Sequence, residues 1–166
     1  MQELASIKDK VFIYFDLCAK IEGLCAELYH YYSDVFKDHA HISQLWKKTA
    51  LEEENHQKQF ALANRLRDDL MFDLNADIDR TYRIHQKLSN LLDHVHHSPP
   101  DIVSALTKAI EMEESLAVIH LDSSVKFHDE TIKSMFLALR DYDQEHVKSL
   151  QHGLAILTLS QTEMVG

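Results

Sequence analysis

The chain has 166 residues, with 3 Gly and 2 Pro, 45% hydrophobic and 27% charged residues, and a formal net charge of -10. So few turn-forming residues argue against a many-stranded fold, and the length suits a single domain over residues 1–166 with a substantial core. The acidic balance, 17 Lys and Arg against 27 Asp and Glu with no basic stripe, argues against nucleic acid as a partner and suits a solvated shell that attracts cations.

No run of about 18 apolar residues is present, so no membrane-spanning helix is expected. The N-terminal Met1-Gln2-Glu3-Leu4 lacks the basic and then apolar stretch of a signal peptide, so a cytoplasmic location is expected.

Spacings of three and four predict a first helix over residues 4–36, with the stripe Leu4, Ile7, Val11, Tyr14/Phe15, Cys18, Glu22, Cys25, Tyr29, Tyr32. Glu22 occupies a core slot in it. Cys18 and Cys25 flank Glu22 on one face, ~10 Å apart along the helix, too far for a disulfide. They are expected to be reduced core thiols.

A turn over residues 37–41 leads to a second helix over 41–71. Its stripe Leu45/Trp46, Thr49, Glu53, His56, Phe60, Ala63 places an acid and a histidine among apolar residues. A further helix over 76–97 is apolar on one side only, through Ile78, Tyr82, His85, Leu88, Leu92 and Val95. It reads as a crossover helix lying against the others.

Ser98-Pro99-Pro100-Asp101 breaks the chain and starts a helix over 101–127, since prolines are tolerated where the first turn's N–H groups have no helical partner. Two faces compete here. One carries Val103, Thr107, Ile110/Glu111, Glu114, Val118, Leu121 and Val125; the other carries Ile102, Leu106, Ala109, Glu113, Leu116 and His120. Periodicity does not choose between them. The last helix, over 131–158, has the stripe Ile132, Met135/Phe136, Leu139, Asp143, His146, Leu150, Gly153/Leu154, Leu157.

Glu53-Glu54-Asn55-His56 and Asp143-Gln144-Glu145-His146 are thus two acid-x-x-His motifs on separate helices. Residues three apart share a helix face, so each motif can grip one metal ion. Two such helices facing two carboxylate-bearing helices are the ligand plan of di-iron and di-manganese bundles. Buried carboxylates without compensation are costly, and two cations with two imidazoles would supply it. Carboxylate and imidazole donors suit iron and manganese, and a ligand set without cysteine argues against structural zinc.

With these motifs in this order the chain resembles the rubrerythrin branch of the ferritin-like superfamily over its four bundle helices, though not over residues 73–97. The resemblance implies an all-α, ferritin-like four-helix bundle with an added crossover helix between the second and third bundle helices. It pairs Glu22 with Tyr29, Glu53 with His56, Glu111 with Glu114 and Asp143 with His146, and so selects Glu111 and Glu114 over Glu113. It implies two iron ions, or manganese or a mixed pair, held by Glu22, Glu53, His56, Glu111, Asp143 and His146. Glu114 would bind and release with oxidation state, and Tyr29 would hydrogen-bond a ligand carboxylate; these two would take part in catalysis.

The implied reaction is reduction of hydrogen peroxide, or oxidation of ferrous iron by oxygen, in a homodimer. The rubredoxin-like iron module is absent, so a separate electron donor is needed. Asp143 stands where Glu is usual and reaches one methylene less far. A ferritin-type storage shell and a metal-free helical interaction module are the rival readings. A hemerythrin-like carrier is disfavoured because no His-x-x-x-His pair occurs.

Overall fold

The computed structural model describes residues 2–65 and 75–165. They form five helices and no strand: α1 (Gln2–Val35), α2 (Ala40–Arg65), α3 (Asn75–His97), α4 (Ile102–Ser124) and α5 (Glu130–Met164). Residues 66–71, expected as the end of the second helix, lie outside the described residues. α5 continues past residue 158 to Met164, where a frayed tail is expected from the sequence.

Each connection among the described residues has a local cause. After α1 the chain turns through residues 36–39, with Phe36 N–H donating to Tyr32 O and His39 N–H to Phe36 O. Pro99 and Pro100 end the α3 run, and Asp101 caps α4 by accepting from Ser104 N–H at 2.8 Å. Asp129 caps α5 in the same way, accepting from Ile132 N–H at 3.0 Å.

Residue pairs across the helices set their directions. α1 and α2 are antiparallel: Ser33 bonds Ser43, Glu22 meets His56 and Phe15 meets Phe60. α4 and α5 are antiparallel through His120 with Asp143 and Glu113 with His146. α2 opposes α5, with Glu53 on His146 and Ile42 against Gly153. α1 opposes α4, with Tyr14 bonding Ser123 and Tyr29 bonding Glu113. α3 lies outside this square, parallel to α1 through Tyr31 and Val95, and tied to α4 by Arg80–Asp122 and Lys126–Asp77. With α3 set aside, the helices run up, down, down, up.

Two apolar clusters fill the interior. One holds Tyr29, Tyr32, Phe36, Trp46, Leu88, Leu106 and Leu150 with their neighbours. The other holds Val11, Tyr14, Phe15, Phe60, Phe127, Phe136 and Leu139. Phe127 stacks on Phe15 and on Phe136, with centroids 5.4 and 5.2 Å apart. Between the two lies a belt of buried polar side chains. Cys18 and Cys25 are buried free thiols.

Candidate metal centre

The belt is made by one residue or pair from each of four helices: Glu22 from α1, Glu53 and His56 from α2, Glu113 and His120 from α4, and Asp143 and His146 from α5. None is more than 4% exposed. They sit here because each interrupts an apolar stripe at mid-height, so the packing that buries the stripe carries them inward.

Glu53 stands at the middle. Its Oε2 lies 3.2 Å from His56 Nδ1 and its Oε1 lies 3.0 Å from His146 Nδ1. Glu22 Oε2 is 3.5 Å from His56 Nδ1, and Glu113 Oε2 is 3.2 Å from His146 Nδ1. Two groups of possible donors result, Glu22–Glu53–His56 and Glu53–Glu113–His146, with their atoms within 4.8 Å of one another, and they share Glu53.

Three side chains hold these donors in place. Tyr29 OH donates to Glu113 Oε1 at 2.5 Å. Glu52, at the rim, takes His146 Nε2 at 2.7 Å, which leaves Nδ1 turned toward Glu53 and Glu113. His120 Nδ1 lies 2.6 Å from Asp143 Oδ2, and its Nε2 lies 3.4 Å from Glu22 Oε1. A carboxylate on the far nitrogen of a ligating histidine is the usual way such a ring is oriented.

The structure corrects the assignment on α4. Glu111 is exposed and pairs with Lys108 at 3.0 Å, and Glu114 is exposed as well. Neither reaches the belt. The face carrying Leu106, Ala109, Glu113, Leu116 and His120 is the buried one, while Val118, Leu121 and Val125 look outward. Tyr29 does bond a carboxylate, and that carboxylate is Glu113. His120 and Glu52 are absent from the sequence-derived set. The seven-residue spacing of Glu113 and His120 on one apolar face carried the signal for His120; nothing in the sequence marked Glu52.

The charges are coupled. Burial raises Glu53 well above the usual carboxylate range, with the neighbouring Glu22 and Glu113 adding to it. Glu22 is also penalised by burial, but Glu53, His120 and His56 outweigh this and hold it low. Burial pulls His56 down, yet Glu22 and Glu53 prevail and hold it up at about 10. His120 is likewise pulled down by burial and held up at about 10 by Asp143 and Glu22. In His146 burial is outweighed by Glu113, Glu52 and Glu53, and its pKa is raised. Burial pushes Asp143 up to about 6 against the opposing pull of His120. Burial, with the carboxylates around it, also keeps the Cys25 thiol protonated.

Protonated histidines thus balance much of the belt's charge but not its geometry. Both oxygens of Glu22 and Oε1 of Glu53 have histidine nitrogens 3.0–3.5 Å away but no well-aligned donor, and Oδ1 of Asp143 is buried without a hydrogen-bond partner. Buried acceptors with poorly aligned donors are costly, and a belt that holds several fits a site shaped for cations.

A cavity of about 330 Å³ between α2 and α5 is lined by Glu52, Asn55, His56, Gln59 and Tyr142. It connects solvent with the edge of the His56 ring. No protein-family model, curated protein or solved structure matches this chain. Among the described residues no helix is long and apolar enough to cross a membrane.

Proposed function

We propose that the belt is a dinuclear metal centre, of iron or manganese, in a ferritin-like bundle whose crossover helix is α3, and that the protein is an oxidoreductase acting on hydrogen peroxide or, with oxygen, on ferrous iron. The observation that carries this reading is the pair of three-residue groups sharing Glu53. The up, down, down, up order of α1, α2, α4 and α5 supports the fold assignment, because a single crossover connection makes the second and third bundle helices parallel.

In this reading Glu22 and His56 would hold one ion, Glu113 and His146 the other, and Glu53 would serve both groups. Such a pair would supply two-electron redox chemistry. The chain's own residues orient and protect it. Tyr29 fixes Glu113, Glu52 fixes the His146 ring, and His120 holds Asp143 with one oxygen free at the belt. The α2–α5 cavity, lined by Glu52, Asn55, His56, Gln59 and Tyr142, gives a polar path of a size suited to a small oxidant. An external donor returns the electrons.

Anaerobic reconstitution with ferrous iron and a count of bound metal tests the reading. Two ions per chain are expected, fewer in the Glu22→Ala and Glu113→Ala variants and none in Glu53→Ala. No retained iron, and none after a repeat with manganese, would overturn it. Measured mass separates a homodimer from a ferritin-type shell. A second reading, a metal-free helical module, draws on the near balance of the belt by protonated histidines, and failure to retain any metal would favour it.

A further inference from the structure

The aromatic side chains of the interior are unevenly divided, phenylalanine dominating one end and tyrosine with tryptophan the other, with Tyr14 and Phe36 as the exceptions. Around the cluster of Val11, Phe60 and Leu139 the rings are Phe15, Phe60, Phe127 and Phe136, with Tyr14 bonded to Ser123. At the other end lie Tyr29, Trp46 and Tyr32, with Tyr31 packed against them. Tyrosine and tryptophan can each give up one electron at potentials reached by strong biological oxidants; phenylalanine cannot.

These rings touch in series. Tyr29, whose hydroxyl bonds the belt residue Glu113, has its ring centroid 5.2 Å from that of Trp46. Trp46 is 5.0 Å from Tyr32, and Tyr32 is 6.0 Å from Tyr31. Tyr31 is half-buried, bonds the Val95 carbonyl through its hydroxyl, and lies 4.4 Å from the exposed His96 ring. The series therefore begins at the belt and ends at the surface between α1 and α3.

Packing alone does not call for an indole at residue 46. Trp46 is wholly buried and its Nε1–H has no partner, a cost that an all-carbon ring there would avoid.

We propose that Tyr29, Trp46, Tyr32 and Tyr31 are an electron relay carrying single electrons from an external one-electron reductant, received at Tyr31 and His96, to the carboxylate–histidine belt. The proposal rests on the redox reading of the belt. Per peroxide, two electrons travel inward one at a time and two protons enter from solvent; the O–O bond breaks and two waters form. When Tyr29 gives up an electron its phenolic proton shifts to Glu113 Oε1, and it returns when Trp46 refills the ring. Trp46 passes through its protonated radical cation, since its N–H has no acceptor. The Tyr32 ring couples Trp46 to Tyr31, and Tyr31 exchanges its proton with the solvent as the reductant refills it.

The chain contains 1 Trp, so a tryptophan radical can come only from residue 46. A ruthenium photo-oxidant attached to the metal-free protein through His96→Cys, with flash-quench and transient absorption, tests the relay without the metals. A tryptophan radical is expected from this label, lost in Trp46→Phe and in Tyr32→Leu, and absent when the label sits at Ser134→Cys near the phenylalanine-rich end. No radical from the first label, or equal yields from both, would overturn the relay. Circular dichroism of each variant establishes that it is folded, with Tyr32→Phe, which keeps the coupling ring, as the milder control. A relay seen in protein that retains no iron or manganese would sink the redox reading of the belt and leave the conduction path itself standing.

Discussion

His120 is the side chain on which Asp143 depends. The aspartate is a methylene shorter than a glutamate would be, it is fully buried, and its one close partner is His120 Nδ1 at 2.6 Å. Removing one member of a buried charged pair strands the other, at about 3–5 kcal/mol. His120→Ala is expected to lose stability on that scale in denaturant unfolding of the metal-free protein, and a further Asp143→Asn change in the same background is expected to recover part of it. Glu111→Ala and Glu114→Ala mark the opposite case. Both side chains are exposed, and each change is expected to stay within about 0.5 kcal/mol of the parent and to leave the metal count unaltered. A loss of metal in either variant would restore them to the site.

Trp46 and the α5 cap matter at the level of the helices. Trp46 is the largest wholly buried side chain and meets both Tyr29 and Tyr32 where α1 and α2 pack. Trp46→Ala is expected to cost about 3–5 kcal/mol, read from the urea midpoint, because the backbone of a helix pair cannot collapse into the space. Asp129→Ala removes the acceptor for Ile132 N–H, and a drop of about 1 kcal/mol is expected. α4 shows why helix periodicity left two faces open and the resemblance chose the exposed one. Apolar residues occur on several of its faces, with Leu106, Ala109 and Leu116 buried and Val118, Leu121 and Val125 exposed. Two stripes then fit the sequence equally, and only packing separates Glu113 from Glu111 and Glu114.

For the whole molecule, the belt links stability to pH and to metal. In the unfolded chain His56 and His120 have the ordinary value of 6.5, and in the fold both are held up at about 10. A raised pKa means that the fold binds these protons more tightly. The contribution is therefore fully present below about 6.5 and is lost as pH rises through about 10. Asp143, raised from 3.8 to about 6, acts in the same direction as it ionises over that interval. Thermal unfolding of the metal-free protein is expected to show a Tm that falls from pH 6 to pH 10; a flat or rising profile would contradict the charge pattern of the belt. Metal ions must displace these protons, so the gain in Tm on adding ferrous iron anaerobically is expected to grow between pH 6 and pH 8.

The all-helical class, the helix start after Pro100, the last helix's start to within a residue (131 expected, Glu130 found), and the inward placement of Glu22, Glu53, His56, Asp143 and His146 could all be read from the sequence. Each of these residues interrupts a single unambiguous apolar stripe, and a helix that buries a stripe must bury what lies within it. Local chemistry likewise marked the break at Pro99-Pro100, since proline acts within a few residues of itself. Which face of α4 turns inward, the hold of His120 on Asp143 and the grip of Glu52 on His146 were decided only by tertiary structure. Those contacts join residues 23 and 94 positions apart. The buried face of a helix that carries two apolar stripes is chosen by its neighbours, not by its own period.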